Sequence, residues 1–141
     1  MNTVNEGEGT VTAADPGQAI VSLRQTRLGN ILVGAEGRTL YLFTSDKDAN
    51  STCYGECASY WPPLTTEGTP RGGEGIDRTK LGISGRTDGT TMVTFNGHPL
   101  YYFIKDSTAG DVAGQGYNNV WYVLDAKGNA IPSPVGILPV R

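Results

Sequence analysis

The stretch Leu40-Tyr41-Leu42-Phe43-Thr44-Ser45-Asp46 is echoed by Leu100-Tyr101-Tyr102-Phe103-Ile104-Lys105-Asp106, each residue sixty positions after its counterpart. The register extends outward without a gap, so that Val33 matches Val93, Gly37 matches Gly97 and Trp61 matches Trp121. A repeat held over such a span means two copies of one supersecondary unit packed against each other. A chain of 141 residues fits one domain with one core. Its 20 glycines and 18% charged residues suit many short strands joined by tight turns better than a helical bundle.

Local patterns fill in the unit. Val21 to Thr26 alternates in polarity and reads as a strand, and Ile31 to Ala35 as a second. Glu36-Gly37 is a two-residue turn, from which Thr39 to Thr44 returns. In the second copy Met92 to Phe95 runs into Asn96-Gly97, the preferred type I′ pair, and Leu100 to Ile104 returns. Val120 to Leu124 is a last strand, closed by Asp125-Ala126-Lys127-Gly128. Leu40 and Leu42 point one way and Tyr41 and Phe43 the other, which predicts motif strands covered on both faces. Tyr41 and Tyr101 then occupy equivalent sides of the two units.

The expected fold is all-β, a compact barrel or sandwich with approximate two-fold symmetry. One short helix falls around Glu56 to Tyr60, stopped by Pro62-Pro63. The domain spans 20–131, with repeats at about 29–64 and 89–124, and residues 66 to 80 form a long surface loop. Residues 1–19 read as a flexible arm, and 132–141 as an apolar, proline-broken tail suited to an edge or to another chain.

Several function classes are disfavoured. A net charge of −3 with no Lys/Arg stripe argues against nucleic acid. No apolar run approaches the roughly 18 residues of a membrane span. Met1 leads directly into Asn2-Thr3-Val4-Asn5, which is not a secretory leader, so the chain is either cytosolic or a mature form with a start Met.

Cys53 and Cys57 are the only cysteines. Bonded, they close a five-residue loop worth roughly 2 kcal/mol and imply an oxidising compartment. A redox-active pair and a metal site are the competing readings, but the spacing is not Cys-x-x-Cys. With one His and two Cys the chain cannot build a blue-copper, haem-attachment or iron–sulfur site by itself. A Cys-Cys-His-carboxylate zinc site stays open only if the cysteines are unbonded. No metal or other cofactor is expected. His98, the sole histidine, follows the hairpin tip and has Arg38 as its counterpart, which suits a rim side chain better than a catalytic base. No Gly-x-Ser-x-Gly elbow, Walker or dinucleotide fingerprint occurs. Asp46-Lys47-Asp48-Ala49-Asn50 loosely resembles a calcium loop, but Ser51 and Cys57 stand where the turn Gly and bidentate Glu belong. Asp46 and Asp106 instead read as acceptors for backbone N–H groups after a strand, and the motif aromatics as core, with an aromatic binding surface as the alternative.

These residues resemble a bacterial family of secreted repeats of unknown function, or predicted lipoproteins with Tyr-x-(Phe/Trp/Tyr)-x-x-Asp motifs. Both motifs are intact: Tyr41, Phe43, Asp46 and Tyr101, Phe103, Asp106. So are Cys53-x-Gly55-x-Cys57-Ala58 with Trp61-Pro62-Pro63-Leu64, Asn96-Gly97-His98-Pro99-Leu100, and Gly114-Gln115-Gly116 with Trp121-Tyr122. The resemblance covers about residues 20–128 and implies export across a bacterial membrane, often with a lipid anchor on an upstream Cys absent from this chain. The expected function is a non-enzymatic envelope or extracellular module. It would bind a protein partner or assemble with itself as a homo-oligomer, for example by strand addition through the termini. The alternative is an envelope electron-transfer accessory that docks to a cytochrome or cycles Cys53–Cys57.

Overall fold

The computed structural model describes residues 17–132. Eight short strands and one helix make up most of the regular structure: β1 (Ile20–Thr26), β2 (Gly29–Val33), β3 (Tyr41–Phe43), α1 (Glu56–Tyr60), β4 (Arg71–Gly72), β5 (Leu81–Gly85), β6 (Thr91–Phe95), β7 (His98–Pro99) and β8 (Trp121–Val123). The body is all-β and duplicated, as the sequence predicts, but is assembled from three small sheets ordered β2-β1-β4, β3-β8 and β5-β6-β7.

Each repeat opens with an antiparallel hairpin, β1–β2 in the first and β5–β6 in the second. The repeat unit therefore begins earlier than the sequence boundaries of 29 and 89. Positions Val21 and Leu81, and Leu23 and Ile83, continue the sixty-residue correspondence back into β1 and β5. The 66–80 stretch is less a free loop than expected, because β4 adds to β1 in parallel with Ile20 opposite Arg71 and Val21 opposite Gly72. Ala19 is buried and its N–H donates to Thr66 Oγ1, so the packed body reaches back into the residues assigned to the arm. Residues 1–16 and 133–141 lie outside the described residues.

The turn before each motif follows its sequence. Glu36 and Gly37 both have positive φ (57° and 77°), as do Asn96 and Gly97 (54° and 81°), the twist that a tight hairpin requires. Thr39 bridges back to Val33, but the returning strand does not stay with β2. It crosses over, and β3 pairs with β8 of the other repeat, Tyr41 opposite Val123 and Phe43 opposite Trp121. The second copy makes the mirrored choice: Tyr101 bridges Pro63, Tyr102 N–H donates to Pro62 O (2.8 Å), and Ile104 N–H to Tyr60 O (2.9 Å). The equivalent bond in the first copy, Thr44 N–H to Val120 O, is 2.8 Å. At the centre Tyr41 and Tyr101 exchange both backbone bonds (2.8 and 3.0 Å), and the pseudo-two-fold axis passes between them.

The motif forms a strand in the first copy, but in the second the expected strand from Leu100 to Ile104 is reduced to isolated bridges at Tyr101. Both motifs are apolar on both faces because each face covers a different apolar cluster, which corrects the expectation of one core. Leu40, Leu42 and Leu100 pack with Val21, Leu32, Val93, Phe95 and Leu124. Tyr41, Tyr101 and Phe103 pack on the other face with Trp61, Trp121, Ile31, Met92 and Val123, with Phe43 against them. The helix occupies the residues expected of it. It starts after Gly55 at φ 60°, and Trp61 N–H caps it by donating to Cys57 O (2.8 Å).

Candidate functional site

Because the strands cross, the motif side chains do too. Tyr41 donates its phenol to Asp106 Oδ2 at 2.7 Å, and Tyr101 donates to Asp46 Oδ2 at 2.5 Å. The tyrosine of each repeat is thus paired with the aspartate of the other. The remaining oxygen of each carboxylate pins a loop: Asp46 Oδ1 accepts from Thr52 N–H and Oγ1 (2.7 and 2.6 Å), and Asp106 Oδ1 from Ala113 N–H (2.9 Å). The backbone-accepting role read from the sequence is present at both aspartates; the cross-repeat phenol was missed, since spacing within one repeat carries no sign of it. Both tyrosines are fully buried and both carboxylates nearly so. Burial, reinforced by the adjacent carboxylate, pushes the phenols of Tyr41 and Tyr101 far above the ordinary tyrosine range, so each stays protonated and donates. Burial also raises the Asp106 carboxyl, although the bonds from Tyr41 and Ala113 oppose it.

Between the two pairs runs a column of aromatic rings. Phe43 stacks on Trp121 (centroids 4.1 Å), Trp121 on Trp61 (3.8 Å), and Trp61 on Phe103 (4.0 Å), with the two indoles tilted by only 2°. The repeats interleave again, because Phe43 lies on the second repeat's tryptophan and Phe103 on the first's. Tyr41 meets Trp61 edge-on at 5.3 Å and Tyr101 meets Trp121 edge-on at 5.1 Å, the favourable quadrupole arrangement. Gly114 is required here: a Cβ would sit 2.6 Å from Trp61 Cη2, and its N–H donates to Tyr41 Oη (3.1 Å).

Cys53 and Cys57 are bonded, with S–S 2.04 Å. This removes the zinc reading, which needed free thiolates. Cys53 is fully buried and Cys57 partly exposed. The loop that carries Cys53 is held by Arg86, a residue the sequence did not single out. Its guanidinium donates to Ser51 Oγ and Cys53 O (3.0 Å each) and lies 4.2 Å from the Tyr54 ring centre. Ser51 Oγ also hydrogen-bonds Tyr101 Oη (2.7 Å), which links the disulfide loop to the Tyr101–Asp46 pair. An arginine amid turn residues gives no sequence cue to burial. His98 sits partly buried in β7 opposite Phe95, and burial lowers its pKa against the opposing charge of Asp46. Among the described residues no group of three or more His, Cys, Asp or Glu side chains is placed to hold a metal ion.

A cleft of about 450 Å³ borders the aromatic column. Trp61, Phe103 and Trp121, all buried, line it together with Glu56, Cys57, Tyr60, Lys105, Tyr117 and Asn118. Tyr117 stands edge-on to both Trp61 (5.6 Å) and Phe103 (5.4 Å).

Crossed strands, crossed phenol–carboxylate pairs and an interleaved ring column define a class: a duplicated, disulfide-bonded β module in which neither repeat is complete without the other. The chain belongs to the family described as a secreted repeat of unknown function, whose profile matches twice, at residues 22–65 and 82–125. The second match begins and ends sixty residues after the first, and both start within the opening hairpins β1 and β5. Comparison with curated proteins and with solved structures gave no match. Among the described residues no helix is long and apolar enough to cross a membrane.

Proposed function

We propose that this secreted repeat protein is a non-enzymatic module that acts by binding a protein partner at the aromatic cleft. The observation that carries the reading is where exposed apolar surface lies. Four large hydrophobic side chains among the described residues are exposed, and two of them, Tyr60 and Tyr117, line the cleft. Tyr60 and Ile104 are joined by a backbone bond, and Ile104 lies between the lining residues Phe103 and Lys105. Tyrosines around a pre-formed apolar floor, with Glu56 and Lys105 at the rim, match the make-up of an interface hot spot, where a partner's apolar side chain enters and the rim excludes water.

The test is selection of peptides from a random displayed library on the folded protein, followed by affinity measurement. Selected peptides should carry an aromatic or aliphatic anchor. The double variant Tyr60→Ala/Tyr117→Ala should weaken them by at least about tenfold, the loss of a single hot-spot contact. Peptides that bind the double variant as well as the parent, or a selection that yields no binder, would refute the cleft as the contact face. Self-assembly through the termini is a separate proposal, and most of the residues concerned lie outside those described. It fails if the full chain and a form lacking residues 1–19 and 132–141 both sediment as monomers at high concentration.

A further inference from the structure

The ring column and the two phenol–carboxylate pairs meet at the same four residues, and packing alone does not require that coincidence. We infer that Trp61 and Trp121, with Tyr41–Asp106 and Tyr101–Asp46 beside them, form a one-electron relay that passes an electron to a one-electron oxidant, such as an oxidised metal complex, at the cleft. The proposal goes beyond partner binding and does not depend on it.

The chemistry follows from the contacts. Trp61 and Trp121 overlap at 3.8 Å with nearly parallel planes, so a positive charge left by removal of one electron is shared between two indoles rather than held on one. Both indoles line the cleft although each ring is itself buried, so an oxidant seated there is separated from them by no more than the packed surface of the cleft wall, a gap an electron crosses by tunnelling. Each indole touches one buried tyrosine, Tyr41 at 5.3 Å from Trp61 and Tyr101 at 5.1 Å from Trp121. A phenol gives up an electron readily only if its proton leaves with it, because the oxidised phenol is a strong acid. Both tyrosines have the acceptor already in place, Asp106 Oδ2 at 2.7 Å and Asp46 Oδ2 at 2.5 Å.

The oxidant takes one electron from the indole pair and is reduced by one unit. Tyr101 returns one electron to Trp121 while its phenolic O–H bond breaks and the proton moves to Asp46 Oδ2. The products are restored indoles, a neutral phenoxyl on Tyr101 and a protonated Asp46. An external one-electron donor closes the cycle, and the proton returns along the same hydrogen bond. Tyr41, Trp61 and Asp106 perform the symmetric step. In the resting state burial keeps the proton on the phenol, so the pair is poised without being already ionised.

The test is flash oxidation of the intact, disulfide-bonded protein with photogenerated ruthenium(III) tris-bipyridine, followed by transient absorption and electron paramagnetic resonance. The parent should give a neutral tyrosyl radical that forms more slowly in deuterium oxide. Tyr41→Phe/Tyr101→Phe keeps five of the seven tyrosines, yet should lose that signal and leave a tryptophan radical in its place. A tyrosyl signal undiminished in the double variant would assign the radical to surface tyrosines and overturn the relay. If the double variant does not fold, the parent decides. In deuterium oxide its tyrosyl radical should show an exchangeable deuteron strongly coupled to the phenoxyl oxygen, the one shared with aspartate. A radical without that coupling overturns the proposal equally.

Discussion

Double-mutant cycles distinguish crossed pairing from pairing within a repeat, and the structure sets their size. Tyr101→Phe removes a phenol that donates to Asp46 at 2.5 Å and also meets Ser51 Oγ at 2.7 Å. A buried hydrogen bond to a charged group contributes about 1.5–3 kcal/mol. Asp46→Ala additionally strips Thr52 of its acceptor, but that loss occurs in both backgrounds and cancels in the cycle. The coupling energy between Tyr101 and Asp46 should therefore be roughly 2 kcal/mol, and that between Tyr41 and Asp106 similar. The within-repeat pairs, Tyr41 with Asp46 and Tyr101 with Asp106, make no hydrogen bond and should couple by less than about 0.5 kcal/mol. Urea unfolding of the oxidised protein reads the difference. At a slope near 2 kcal/mol/M, 2 kcal/mol moves a midpoint by about 1 M. A within-repeat coupling as large as the crossed one would refute the intertwined arrangement on which the candidate site rests.

Gly114→Ala should cost about 1–3 kcal/mol in the same assay, since the added methyl meets the Trp61 ring and there is no room for repacking. The stacked indoles should give an exciton couplet in circular dichroism; Trp61→Phe or Trp121→Phe should abolish it, and Trp61→Ala should cost about 3–5 kcal/mol. Two aspartates should act oppositely on acid stability. Backbone and hydroxyl bonds from Thr108 and Ser107 hold Asp111 down to about 2 from 3.8, so its contribution is present above pH 3.8 and is lost as pH falls toward 2; Asp111→Asn should flatten that limb. Burial raises Asp106 above 3.8, so the native state keeps a proton that the unfolded chain has released and stability falls as pH climbs from 3.8 through the raised value; Asp106→Asn should remove that fall.

Glu36-Gly37 and Asn96-Gly97 announce their turns because few residue pairs accept two positive φ values. The helix is legible because Pro62 sets its end. Leu40, Leu42, Tyr41 and Phe43 predict a strand covered on both faces because alternation has period two. The opening strand β5 was missed: Leu81-Gly82-Ile83-Ser84-Gly85 carries two glycines and gives a weak strand signal beside the polar loop before it. Arg86 was missed because its burial depends on Ser51, Cys53 and Tyr54, more than thirty residues away in the chain.

Local order and duplication were therefore written in the sequence: turn chemistry, strand polarity, the position of the helix and the sixty-residue offset all act over a few neighbours or compare like with like. The partner of each residue was not. That β3 leaves β2 for β8, that Tyr41 finds Asp106 rather than Asp46, and that the rings of both repeats alternate in one column are choices between equally apolar surfaces that look identical in each copy. Only the packed chain decides among them, because a two-fold repeat stacks the rings of its column and buries both of its carboxylates only when each half completes the other.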